Sequence, residues 1–74
     1  MPVRHSVINH VRSNRRLREI TQQGLADRVD VTRQTIVSIE RGRYNPSVGL
    51  ALRIAEVFGV PVEDVFELDP GGPS

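Results

Sequence analysis

The chain has 74 residues, enough for one domain that buries only about 60% of its unfolded surface, so we expect marginal stability without a partner. The absence of cysteine excludes disulfides and thiolate metal sites. No apolar run approaches the ~20 residues of a transmembrane helix, and none resembles a signal peptide. We therefore expect a cytoplasmic protein without a membrane partner. The net charge of +1 is the sum of a basic and an acidic half of the chain. Residues 1–43 contain nine arginines and four acidic residues, whereas residues 44–74 contain one arginine and five acidic residues. This distribution suits a protein that turns one face toward phosphates.

The N-terminal segment predicts a strand followed by a helix. Residues 6–8 have the composition of a strand. Asn9 is the expected cap of a first helix that ends near Leu17, with Val11 facing inward.

Residues 21–42 predict two short helices joined by a tight turn. Thr21 and Thr32 carry hydroxyls that can accept from orphan backbone N–H groups, so each is expected to cap one helix. Gly42 is the residue type that ends a helix in a left-handed conformation. Each helix has one apolar face, formed by Leu25, Ala26 and Val29 in the first and by Ile36 and Ile39 in the second. This pattern is a helix-turn-helix, and it makes DNA the first partner to consider.

The C-terminal segment predicts two more helices. Ser47 is expected to cap a fourth helix that ends near Phe58. Pro61 is tolerated at a helix start, so a short fifth helix is expected over about residues 62–66.

The two ends of the chain differ in composition. Residues 66–68 resemble a strand, as residues 6–8 do, whereas residues 70–74 have the composition of a disordered tail. We therefore expect a DNA-binding domain over residues 1–69 and a tail over residues 70–74.

The helix-turn-helix run continues as IERGRYNPS over residues 39–47 and LALRIA over residues 50–55. With these motifs the chain resembles the Cro/Xre family of helix-turn-helix regulators, the phage repressor type, over roughly residues 9–68. The resemblance implies an all-α fold, a five-helix repressor-type bundle that contains a helix-turn-helix. In small single-domain members the two termini also pair as a short antiparallel β-ribbon.

Two positions depart from the family pattern. Asp30 holds a turn position usually given to glycine, and Asp enters the left-handed region at modest cost. Gly24 replaces a better helix former and should cost its helix ~1 kcal/mol. Neither departure removes the motif.

The resemblance implies a sequence-specific transcriptional regulator, a repressor that binds a near-palindromic double-stranded DNA operator as a homodimer. The helix over residues 32–41 would enter the major groove and read bases with its outward side chains. For the same positions, the alternative is an ordinary solvated helix face. The expected base contacts are Arg33 to a guanine, Gln34 to an adenine, Val37 to a thymine methyl group, and Ser38.

The resemblance also implies phosphate contacts that flank this helix. Such contacts give affinity and register but no sequence choice. The alternative for each arginine is a free surface charge. The expected phosphate-contacting residues are Gln22, Thr32, Arg41, Arg43, Tyr44 and Asn45.

Glu40 lies on the helix expected to face DNA, where an outward carboxylate would weaken binding, so we expect it to point inward. In phage repressor relatives a Glu at this position pairs with an Arg of the first helix, and the matching position is Arg15. We therefore expect a structural ion pair between Arg15 and Glu40. Breaking such a pair costs ~3–5 kcal/mol when it is fully buried.

The fourth helix carries more apolar surface than one core can bury, because its polar positions occupy only a narrow arc. A second copy of the chain is the expected cover. In the competing interpretation, Phe66 and Leu68 of the terminal ribbon cover the remaining apolar surface of this helix. The expected dimer interface comprises Leu50, Val57, Phe66 and Leu68.

Catalysis has little support in the sequence. His5 and His10 lie five residues apart without cysteine nearby, and Glu63 and Asp64 suit a solvated helix start. We expect no enzyme, no metal and no cofactor, and the chain has no room for a separate small-molecule ligand domain. The rival function is a protein-interaction module such as an antitoxin or adaptor subunit, whose DNA binding would lack the steep salt dependence of a repressor.

Overall fold

The computed structural model describes residues 7–69. Four α-helices occupy the middle of the chain, and a short 3₁₀ helix and two strands complete it. In chain order the elements are β1 (Val7–Asn9), α1 (Val11–Leu17), α2 (Gln22–Val29), α3 (Arg33–Glu40), α4 (Val48–Phe58), the 3₁₀ helix (Val62–Asp64) and β2 (Phe66–Leu68). None of the helices in the described part is long and apolar enough to cross a membrane.

Three helices begin at the caps that the sequence predicts. Each cap has an extended backbone, and its hydroxyl accepts from the N–H three residues later. Thr21 accepts from Gly24 at 2.9 Å, Thr32 from Thr35 at 3.3 Å, and Ser47 from Leu50 at 3.1 Å. The starts of α2, α3 and α4 are therefore fixed by local chemistry.

The first helix begins differently from the prediction, because its cap is His10 rather than Asn9. Asn9 pairs with Phe66 in the sheet, and its side-chain amide donates to the Ile39 carbonyl at 2.9 Å. The His10 side chain makes no capping hydrogen bond, and the Val11 N–H donates to Oδ1 of Asn9 at 3.4 Å. Sheet pairing of Asn9 thus moves the start of α1 by one residue, although Asn9 still accepts one N–H of the first turn.

Two turns rely on left-handed residues other than glycine. Asp30 ends α2 with φ 62° and ψ 45°, as expected for the departure from the family pattern. Glu19, after α1, has φ 55°. Gly42 follows α3 with φ 74°, which is the predicted left-handed conformation.

The fifth helix expected over residues 62–66 is absent, and a single 3₁₀ turn, Val62–Asp64, takes its place. The Val65 carbonyl accepts from the His10 N–H at 2.7 Å, and Phe66 already belongs to β2. Three residues between Pro61 and this pairing are too few to nucleate an α-helix. The prediction of five helices was wrong for this reason.

The two strands pair antiparallel, as the resemblance implied, with Val7 opposite Leu68, Ile8 opposite Glu67 and Asn9 opposite Phe66. The first strand therefore ends at Asn9, one residue later than the expected Ile8. Ser6 and the expected tail at 70–74 lie outside the described residues.

A single apolar core joins the helices, and it contains the faces that the sequence assigned to α2 and α3. Partly buried apolar side chains, including Val57 and Phe66, pack against it. The buried residues are Val11, Leu25, Ala26, Val29, Ile36, Ile39, Leu50, Ile54, Ala55, Phe58 and Val65.

The structure corrects the assignment of Leu50 and Val57 to a dimer interface. Leu50 is only 4% exposed within the protomer, and Val57 packs against the core. The helix α4 lies against α1, α2 and the 3₁₀ helix, so its neighbours cover more of its circumference than one stripe. The apolar side chains that α4 leaves exposed are Val48 and Leu52.

Polar contacts tie α1 to the end of α4. Arg18 donates through Nε to the Phe58 carbonyl at 3.0 Å, and its guanidinium carbon lies 5.3 Å from the centre of the Phe58 ring. Its Nη1 also donates to both oxygens of Asn14 at 3.0 Å, and the Asn14 amide donates to the His10 carbonyl at 2.9 Å. Arg18 thereby satisfies carbonyls at the ends of α1 and α4 that a helix end leaves without partners.

Candidate nucleic-acid interface

The outward face of α3 carries the four residues expected to contact bases. Because Ile36 and Ile39 are buried, the opposite side of this helix is turned to solvent. Arg33 and Gln34 are exposed in its first turn, and Val37 and Ser38 are half-buried one turn later. Gln34 and Ser38 approach each other, with Nε2 and Oγ 3.5 Å apart. Arg33, Gln34 and Ser38 form a polar strip on this face of the helix, and the apolar Val37 lies among them.

The loop after α3 places its expected phosphate-contacting residues beside this strip. Arg41, Arg43, Tyr44 and Asn45 are all exposed. The left-handed Gly42 turns the chain, and the Arg43 N–H donates back to the Ser38 carbonyl at 2.9 Å. A depression of about 200 Å³ joins the two groups, lined by Gln34, Thr35, Ser38, Arg43 and Tyr44.

The other two expected phosphate contacts, Gln22 and Thr32, already have protein partners. The Gln22 amide donates to Oε1 of Glu40 at 3.2 Å. The Thr32 hydroxyl caps α3 and lies 3.1 Å from the Thr35 hydroxyl. These residues lie at the starts of α2 and α3, where backbone N–H groups point outward and can bind an anion.

Arg15 and Glu40 form the ion pair that the sequence predicts. Nε of Arg15 lies 2.9 Å from Oε2 of Glu40, and Nη2 lies 3.2 Å from Oε1. The side chains are 12% and 5% exposed. A third donor of Arg15, Nη1, binds the Ile20 carbonyl at 3.0 Å. The pair therefore joins α1 to α3 and neutralises the charge of Glu40 beside the outward face of α3.

Arg12 and Arg16 of α1 also border this surface, although the sequence did not single them out. They line a cavity of about 570 Å³ together with Arg33 of α3 and Arg41, which directly follows that helix. Their spacing of four residues, with Arg15 turned inward between them, was a usable signal, because it places both on one outward face of a helix.

Among residues 7–69, no group of three or more His, Cys, Asp or Glu side chains lies close enough together to hold a metal ion. His10 lies 2.8 Å from Glu67, and this contact links α1 to β2. His5 lies outside the described residues.

Comparisons with known proteins agree with this geometry. The family model described as helix-turn-helix (HTH_3) matches residues 11–65. An uncharacterised HTH-type transcriptional regulator of Methanocaldococcus jannaschii is 48% identical over 58 residues, which cover 78% of this chain and 88% of that protein. Another, of Methanothermobacter thermautotrophicus, is 51% identical over 63 residues, which cover 84% and 91%.

Two longer proteins match over part of their length. The immunity repressor protein of Bacillus phage phi105 is 32% identical over 60 residues, which cover 81% of this chain and 42% of the repressor. The crystal structure of the clp gene regulator ClgR from Corynebacterium glutamicum is similar with a TM-score of 0.70 and 30% identity, over 73% of this chain and 57% of that one.

Proposed function

The chain belongs to the helix-turn-helix family whose model spans residues 11–65, a non-enzymatic kind of DNA-binding regulator, and we propose that it represses transcription by binding a specific operator. The operator is a near-palindrome of double-stranded DNA. A homodimer binds it, and each copy inserts α3 into the major groove.

The observation that carries this proposal is the outward face of α3. Arg33 and Gln34 stand exposed in its first turn, and the major groove is wide enough to admit an α-helix. Arg33 can bind a guanine through two hydrogen bonds and Gln34 an adenine, while Val37 can lie against a thymine methyl group. Ser38 completes the base-contacting set.

Sequence-independent affinity comes from groups on either side of this face. Arg41, Arg43, Tyr44 and Asn45 supply charge and donors from the loop after α3, and the starts of α2 and α3, at Gln22 and Thr32, supply backbone N–H groups. These contacts place α3 in register on the duplex without choosing its sequence.

The two-fold symmetry of a dimer fixes the operator geometry. Half-sites lie about one helical turn apart, ~34 Å, and are related by the same axis as the two copies. The exposed Val48 and Leu52 of α4, rather than Leu50 and Val57, are the apolar side chains that α4 offers to a second copy.

Selection from random duplexes, followed by footprinting, tests the proposal. Arg33→Ala should cost ~1–3 kcal/mol on the selected site and relax preference at one base pair. Arg43→Ala, the matched loss of a phosphate contact, should weaken all sequences similarly and flatten the salt slope by about one unit.

Two outcomes would contradict the proposal. Unchanged sequence preference in the Arg33→Ala protein would refute the assignment of α3 as the recognition helix. If the unaltered protein bound no duplex with preference or steep salt dependence, a protein-interaction role such as an antitoxin or adaptor would replace DNA recognition.

A further inference from the structure

A basic groove lies between α1 and α3, follows the length of α3 and reaches the start of α2. We call it the arginine groove. Its cavity has a volume of about 570 Å³. Arg12, Arg15 and Arg16 of α1 line it together with Arg33, Glu40 and Arg41. Five arginines and one glutamate give it a net charge of +4.

The single carboxylate of the arginine groove is fully engaged. Both oxygens of Glu40 accept from Arg15, and Oε1 also accepts from Gln22. Since its side chain is 5% exposed, Glu40 presents no charge to an incoming anion. Arg15 is likewise committed to Glu40 and to the Ile20 carbonyl.

The other four arginines of the groove, Arg12, Arg16, Arg33 and Arg41, are exposed. Within residues 7–69 their side chains make no hydrogen bond or ion pair. None of the residues from 7 to 69 therefore compensates the positive charge of these four side chains.

Arg12 and Arg16 stand one turn apart on α1, a spacing at which like charges repel each other and destabilise a helix. The helix contains no acidic residue to offset them. Nothing in the core requires them either, because both point to solvent. A bound anion would relieve the repulsion between these two side chains.

We propose that Arg12 and Arg16 bind the phosphate backbone of the DNA duplex whose major groove receives α3, so that α1 forms part of the DNA interface. This inference rests on the proposed function. Arg33 begins α3 and Arg41 directly follows its last residue, and both line the same groove, so a duplex seated on α3 brings the phosphates bordering its major groove toward α1. Guanidinium groups bind phosphate oxygens through paired hydrogen bonds.

A polyanion fits the arginine groove better than a small free anion does. The four unpaired arginines are all solvent-exposed, so each single contact is screened by salt. A phosphate backbone engages several of them at once and releases condensed counterions from the DNA. The contacts carry no sequence information, since phosphates are the same at every base pair.

The test measures the dissociation constants of the full chain on its selected duplex and on an unrelated duplex, across a series of salt concentrations. The variants are Arg12→Gln, Arg16→Gln and the double substitution, because Gln keeps good helix propensity without the charge. Arg28→Gln is the control, since Arg28 is exposed on α2 but does not line the groove. Circular dichroism verifies that every variant keeps its helix content.

Each single substitution in the groove should flatten the slope of log Kd against log salt by about one unit, and the double substitution by about two. Affinity should fall by the same factor on both duplexes, so the preference ratio stays constant. Arg28→Gln should leave the slope unchanged.

Three results would overturn the inference. A double variant with the unaltered slope and affinity would remove α1 from the interface and leave the proposed function standing. A changed preference ratio would mean that these arginines contact base edges rather than phosphates. If the unaltered protein bound no duplex, the proposed function would fail and the inference with it.

Discussion

Glu40 lies on the helix proposed to face DNA, yet its carboxylate serves the protein interior. It accepts two hydrogen bonds from Arg15 and one from Gln22, and it is almost completely shielded from solvent. A buried carboxylate without such donors would carry a large desolvation cost. The network therefore positions α1 against α3 and at the same time keeps negative charge away from phosphates.

Removing Arg15 should strongly destabilise the protein. Arg15→Ala leaves Glu40 buried with Gln22 as its remaining side-chain donor, and we expect a loss of about 3 kcal/mol in the free energy of unfolding, measured by urea denaturation. Arg12→Ala, an exposed arginine of the same helix, should change it by no more than about 0.5 kcal/mol. Similar values for the two variants would contradict a structural role for the pair.

At the scale of the elements, the sequence predicted those helices whose starts are set locally. Thr21, Thr32 and Ser47 cap helices where expected, because the capping hydrogen bond depends on residues within one turn. Asn9 and the segment 62–66 were mispredicted, because their backbone groups pair across the sheet with residues more than fifty positions away. Such pairing overrides local preference and cannot be read from a short window.

Gly24 illustrates a local preference that the structure explains. A methyl group on Gly24 would lie 3.0 Å from Oγ1 of Thr21, the oxygen that caps α2, whereas a methyl group on Gly49 of α4 would meet nothing within 4 Å. Glycine at position 24 thus lowers the helix propensity of α2 but leaves room for the capping oxygen of Thr21.

The two glycines should respond differently to alanine. Gly49→Ala should raise the free energy of unfolding by about 0.5–1 kcal/mol, because it lowers the entropy of the unfolded chain without a clash. Gly24→Ala should give no gain or a small loss. Thermal unfolding at several protein concentrations measures both and separates any contribution from association. An equal gain in both variants would mean that the Thr21 cap adjusts without cost.

At the scale of the whole molecule, the sequence of one helix and its flanks leads to the proposed DNA contacts of α3 and the loop after it, whereas it gave no sign of the contacts proposed for α1. Arg12 and Arg16 border this surface because α1 packs beside α3, through Val11 in the core and the pair between Arg15 and Glu40. For the fourth helix, the sequence led to the opposite mistake. Leu50 was expected to contact a second copy, because the sequence of α4 alone does not show how many elements pack around this helix.

The remaining exposed apolar side chains lead to a revised prediction for the dimer. Val48 and Leu52, 77% and 52% exposed, lie one turn apart on α4, in the acidic half of the chain and outside the residues that line the arginine groove. A contact between copies there would leave both basic surfaces free for DNA. Leu68, 65% exposed on β2, stays a candidate at the edge of such an interface, and Phe66 is partly covered by the core.

Leu52→Glu should therefore convert a dimer into a monomer of 8.3 kDa in sedimentation at micromolar concentration, because it places a charge in an apolar contact. Operator affinity should fall by about 10²–10⁴-fold, since two linked binding events become independent, while preference for a single half-site persists. Leu17→Glu is the matched control: Leu17 is 78% exposed on α1, and its replacement should alter neither mass nor affinity by a comparable factor. If the unaltered protein sediments as a monomer and still binds the palindrome cooperatively, the two copies associate only on DNA, and the contact between them must be sought outside the Val48 and Leu52 surface.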